Sequence, residues 1–120
     1  MEFSNEKPIY LQIVEFAMNR IILSEWKNEQ KIPSVRDLAV SLEVNANTVM
    51  RAYDHLQQQE IIFNKRGLGF FVHQDARTTI LKAKKIQFLE EELPLMFRTL
   101  DLLDISIDEV NTYYNNQQKS

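Results

Sequence analysis

The chain contains no cysteine, which excludes disulfides, thiolate nucleophiles and thiolate metal sites. It has only two histidines, His55 and His73, on different predicted elements, with no nucleophile and no metal-ligand spacing beside them. No enzymatic activity, bound metal or cofactor is expected. No apolar run is long enough to span a bilayer. The opening residues, Met1-Glu2-Phe3-Ser4-Asn5-Glu6, lack the basic and apolar regions of a secretory signal. A cytoplasmic protein without membrane contact is the expectation. Net positive charge is also lacking: 14 Lys and Arg stand against 17 Asp and Glu, a balance of −3. A nucleic-acid binder is ordinarily basic on at least one face, so any such role must rest on where the charges lie.

What is present is an ordinary globular composition in 120 residues, enough for one compact domain or a small domain with an appendage. Pro8 suits the first turn of a helix in which Ile9, Ile13, Phe16, Ala17 and Ile21 recur at helical spacing. Residues 25–32 read as a polar loop. Ser34, with Asp37 three positions on, is a capping-box pattern that opens a second helix. Its apolar residues are Val35, Leu38, Ala39 and Leu42. Asn45 is the N-cap of a third helix with Val49, Ala52, Tyr53 and Leu56 on one side. Two short amphipathic helices across so short a turn predict a helix-turn-helix.

The only two glycines, Gly67 and Gly69, lie in a polar connection between Ile61-Ile62-Phe63 and Phe70-Phe71-Val72, which predicts a hairpin. A basic hairpin directly after a helix-turn-helix is a wing. From Asp75 the chain reads as helix, which Pro94 either kinks or breaks. Ser106 with Glu109 caps a last helix whose apolar side is Ile107, Val110, Tyr113 and Tyr114. The polar end, residues 115–120, is expected to fray.

Four segments together resemble the GntR family of bacterial regulators: Pro8-Ile9-Tyr10-Leu11-Gln12-Ile13, Ile32-Pro33-Ser34-Val35-Arg36-Asp37-Leu38-Ala39, Val44-Asn45-Ala46-Asn47-Thr48-Val49-Met50-Arg51-Ala52-Tyr53 and Lys65-Arg66-Gly67-Leu68-Gly69-Phe70-Phe71-Val72. They fall in the family's order and spacing. The short helical tail resembles the YtrA-like subgroup, which lacks a large effector-binding domain. The chain departs from the family where glycines are usual, carrying Ser24, Asn28 and Glu60 there. It has Ala46 and Met50 where some subfamilies have arginine, so those relatives' base contacts are not carried over.

At about 100° per residue, Asn47 and Arg51 point away from the core side of the third helix, with Thr48 beside them. Asn, Arg and Thr are residue types that read base edges in a major groove. Arg36, a cation in the first turn of a helix, opposes the helix dipole, and a phosphate partner would explain it. Lys65, Arg66 and Gly67 let the wing approach a phosphate or minor groove. The resemblance adds Tyr10 as a phosphate donor. The expected DNA-facing set is therefore Tyr10, Ser34, Arg36, Asn45, Asn47, Thr48, Arg51, Lys65, Arg66 and Gly67. Each has a plainer alternative: Arg51 paired with Asp54 or His55, Arg36 with Asp37 or Glu43, Lys65-Arg66 as a guard against edge pairing, Asn45 as a cap.

The segment from Ile32 to His73 is neutral overall, which favours two copies on a two-fold site. The tail supplies an interface for this in Phe88, Leu93, Met96, Phe97, Leu100 and Leu103; Ile80 belongs to the same stripe. The alternative is packing of the stripe on the same chain. The expected protein is mainly α with a small β-hairpin wing. Residues 1–74 form a winged helix-turn-helix and residues 75–120 a helical dimerisation tail. The expected function is a bacterial transcription regulator, a repressor, holding a palindromic double-stranded DNA operator as a homodimer. An unknown small-molecule effector stays open, and a winged-helix module that binds protein is the rival reading.

Overall fold

Pro8 sets the start of α1 (Ile9–Ile22), whose buried side is Ile13, Val14, Ala17 and Ile21. The computed structural model describes residues 2–118; Met1 and the expected fraying at Lys119 and Ser120 lie outside them. The Gln12 amide secures the approach to α1, donating to the carbonyls of Ser4 and Lys7 and accepting from the Ser4 N–H. Ser34 caps α2 (Val35–Leu42), its Oγ accepting from the Asp37 N–H at 3.0 Å. Asn45 caps α3 (Ala46–Gln58), its Oδ1 accepting from the Asn47 N–H at 2.8 Å. Val49, Ala52, Tyr53 and Leu56 are the buried face of α3, as their spacing predicts.

The wing consists of β1 (Ile62–Lys65) and β2 (Gly69–Val72), antiparallel, with Phe63 opposite Phe71 and Lys65 opposite Gly69. β1 reaches further than the apolar run suggests, so Lys65 is a strand residue and not part of the connection. Residues 29–32 are more than a loop. The Glu29 N–H donates to Val72, the Val72 N–H to Gln30 and the Ile32 N–H to Phe70, so this segment lines the free edge of β2. Covering that edge removes a row of unpaired backbone groups.

With both glycines spent in the wing, four helices end on other residues in the left-handed conformation. Ser24, Glu43, Glu60 and Asp104 have φ of 61°, 57°, 59° and 55°. After each, the next N–H reaches back to close the helix, as Ile61 does to the Leu56 carbonyl at 3.0 Å. Ser24 and Glu60 occupy two of the positions where the family usually carries glycine. Asn28 does not take this conformation; its neighbour Glu29 does, at φ 66°.

Two compact units result, one ending at Lys82 and one beginning at Ala83. The first encloses the core of α1, α2, α3 and the wing, and it takes in Ala76 and Ile80 from α4 (Ala76–Gln87). Ile80 is thus a core residue of the winged unit, which corrects its assignment to the tail stripe. Arg77 Nε fastens the start of α4 by donating to the Ile22 carbonyl at 2.9 Å.

The second unit carries a π-helical turn at Phe88–Glu92, then α5 (Leu93–Leu102) and α6 (Ile107–Gln118). Pro94 sits in the first turn of α5. Its ring and missing N–H are incompatible with a tight helical turn before it, and the wider π turn accommodates both. Ser106 and Glu109 form the expected reciprocal cap, the Glu109 N–H donating to Ser106 Oγ at 3.1 Å. Residues 115–118 are helical, in contrast to the expected fraying.

Candidate DNA interface

Packing of α1 against α3 opens a cleft of about 360 Å³ lined by Pro8, Ile9, Tyr10, Asn47, Thr48 and Arg51. Four members of the expected DNA-facing set therefore meet in one place. Ile9, the first apolar residue of α1, is exposed at this cleft, unlike Ile13, Ala17 and Ile21 of the same stripe. Arg51 is exposed, and its guanidinium carbon lies 4.0 Å from the centre of the Tyr10 ring. It pairs with neither Asp54 nor His55; among the described residues it has no ion pair or hydrogen bond. Asn47 is exposed, with its side-chain amide unengaged.

Ser34 and Asn45 are occupied as helix caps through their side-chain oxygens. Arg36 stands exposed in the first turn of α2 without a charged partner among the described residues. Neither Asp37 nor Glu43 pairs with it. It is a cation at the positive end of a helix dipole, where an external anion would be favourable.

On the wing, Lys65 and Arg66 differ. The alternation of β1 places Lys65 on the face of Phe63, and its ammonium lies 4.5 Å from the centre of the Phe71 ring. Phe63 and Phe71 stack beneath it at 5.9 Å. Arg66 is exposed and free of such contacts among the described residues. Gly67 has φ 80° with open space where a Cβ would stand, so the tip is accessible. Lys31 is a cation that the sequence reading missed. A Cβ on Gly69 would come within 3.0 Å of Lys31 Cε, so the lysine lies across the wing at that glycine. Only the pairing of residues 29–32 with β2 brings it there, and no local pattern signals that.

In the second unit, Phe88, Met96, Phe97 and Leu103 are exposed, whereas Leu100 is buried and Leu93 half-buried. Leu100, already buried in the single chain, offers little surface to a second copy, in contrast to its expected place in the interface. Among the described residues Leu102 is the most exposed of the large apolar side chains, at 82%.

The family model for bacterial regulatory proteins of the gntR family matches residues 9–72. A GntR-family transcriptional regulator from Bacteroides thetaiotaomicron shares 49% identity and superimposes with a TM-score of 0.77 over 93% of this chain and 98% of that one. The HTH-type transcriptional repressor YtrA of Bacillus subtilis is 36% identical over 70% of this chain and 65% of its own length. The DNA-binding domain of AraR in complex with operator ORX1 is 26% identical, with a TM-score of 0.56 over 59% of this chain and 92% of that domain.

Proposed function

The chain belongs to the GntR family of DNA-binding transcriptional regulators, and on that premise we propose that it is a homodimeric repressor acting on a two-fold symmetric operator. The observation that carries this reading is the cleft where Asn47, Thr48 and Arg51 of α3 converge with side chains able to read base edges. α3 is the second helix of the helix-turn-helix, the one that enters the major groove in this class of fold. Arg36 and Arg66 supply backbone contacts, and Lys65 a weaker one. The similarity to YtrA and to the operator-bound AraR domain supports repression and an operator target.

Few cations serve the interface, so counterion release by one copy gives modest affinity and two copies are needed. The exposed residues Phe88, Met96, Phe97 and Leu103 supply the apolar surface that a second copy would cover. The winged unit, which extends past the expected 1–74 to Lys82, then acts as the reading head and the residues after it as the dimerisation tail. An effector would act by changing the placement of the two heads. Occlusion of the promoter is the mechanism of repression.

Selection of random duplex DNA on the full chain at two salt concentrations, with sedimentation of the free protein, tests this. Enrichment of a two-fold symmetric site by a dimer, weakening steeply with salt, is expected. A folded dimer that enriches no DNA would move the function to protein binding, and a monomer that enriches a single half-site would remove the dimer.

A further inference from the structure

Tyr10 and Arg51 lie far apart in sequence, on α1 and α3, yet the Arg51 guanidinium stacks on the Tyr10 ring at 4.0 Å. The same ring faces His55, one turn further along α3, with ring centres 6.3 Å apart. His55 Nδ1 is buried and, among the described residues, without a hydrogen-bond partner. Arg51 itself has no hydrogen bond or ion pair among the described residues. The ring face is therefore the contact that orients it.

A guanidinium held by its flat face keeps its N–H edge free, and that edge makes the paired contact with the two acceptors of a guanine. An unsupported arginine would lose much rotamer freedom on making that contact; a stacked one has lost part of it already. We propose that Tyr10 is a positioning residue whose ring, and not its hydroxyl, holds Arg51 for base reading. This rests on the assignment of α3 as the reading helix. It differs from a role for the Tyr10 hydroxyl as a phosphate donor, because it ties a residue of α1 to base preference as well as to affinity.

The test uses the full chain and the selected operator, with duplexes carrying each single base-pair change, measured by fluorescence anisotropy at one salt concentration. Arg51→Ala is expected to flatten preference at one operator position. Tyr10→Leu is expected to flatten the same position and weaken binding by roughly threefold to tenfold. Tyr10→Phe is expected to stay within about twofold of the parent. The double variant, Tyr10→Leu with Arg51→Ala, should be no worse than Arg51→Ala alone. Tyr10→Met, which fills similar volume without a π face, repeats the test should Tyr10→Leu not fold.

Loss on Tyr10→Phe, uniform across duplexes, would assign Tyr10 to a phosphate and overturn the proposal. Parent-like preference in both Tyr10→Leu and Tyr10→Met, with Arg51→Ala still flattening its position, would overturn it and leave α3 as the reading helix. Unchanged preferences in Arg51→Ala would remove the reading-helix assignment and the proposal with it.

Discussion

The Tyr53 hydroxyl donates to the Pro33 carbonyl across 2.6 Å, tying the middle of α3 to the residue before the N-cap of α2. Tyr53 is fully buried, and its ring meets Phe70 of the wing edge-on at 5.0 Å. One side chain thus joins both helices of the helix-turn-helix to the hairpin. Tyr53→Phe should lower stability by about 1 kcal/mol, the net worth of a neutral hydrogen bond, in urea unfolding. Burial also pushes the hydroxyl well above the ordinary tyrosine value of about 10. Above pH 10 or so the unfolded chain gives up a proton that the folded chain keeps. The contribution of Tyr53 is full below that pH and is lost as pH rises through the folded-state value. The gap between parent and Tyr53→Phe should therefore narrow in alkaline unfolding series; a gap that stays constant would show that the hydroxyl does not titrate differently in the two states.

The two wing glycines should respond unequally to alanine. Gly69, at φ 112°, would bring a Cβ within 3.0 Å of Lys31 Cε, whereas Gly67, at φ 80°, faces open space. Both changes incur backbone strain of roughly 1–2 kcal/mol. Only Gly69→Ala also displaces Lys31, so it should have the lower Tm of the two. Equal melting temperatures would mean that Lys31 moves aside freely.

Glu60 closes α3 in the left-handed region at φ 59°. Relief of that conformation is worth roughly 1–2 kcal/mol, and glycine returns part of it as unfolded-state entropy. Glu60→Gly should therefore stabilise the protein by about 0.5–1 kcal/mol in urea unfolding. A loss of stability would indicate that the Glu60 side chain contributes more than its backbone geometry costs.

Arg66 has no partner among the described residues, while Lys65 lies over the Phe71 ring. Arg66→Ala should flatten the plot of log affinity against log salt by about 0.9, the worth of one phosphate contact. Lys65→Ala should flatten it less. Salt titrations of operator binding read both slopes, and an unchanged slope in Arg66→Ala would remove the wing tip from the interface.

Much of this was legible from short-range pattern. Ser34, Asn45 and Ser106 mark helix starts because capping is decided within three residues of the cap, and Pro8 does so through its fixed backbone angle. The buried face of α3 follows from helical spacing alone, and the hairpin from two clustered glycines between β-prone runs. The exposed positions Asn47 and Arg51 follow from the same spacing. Non-local features were not legible. The pairing of residues 29–32 with β2, the crossing of Lys31 over Gly69 and the capture of Lys65 by Phe71 all depend on segments distant in the chain or on strand length. Ile80 carries the same apolar signal whether it packs in the winged unit or in a tail.

The sequence by itself determined which residues begin helices, which face of each helix is apolar and which polar side chains of α3 point away from the core, because these depend on neighbours within a turn or two. The tertiary structure alone decided what those side chains do. It left Arg36 and Arg66 without an ion pair among the described residues, and set Arg51 on the ring of Tyr10. The reason is physical: a cation's partner is chosen by what folding brings within a few ångströms of it, and for Arg51 that partner comes from another helix.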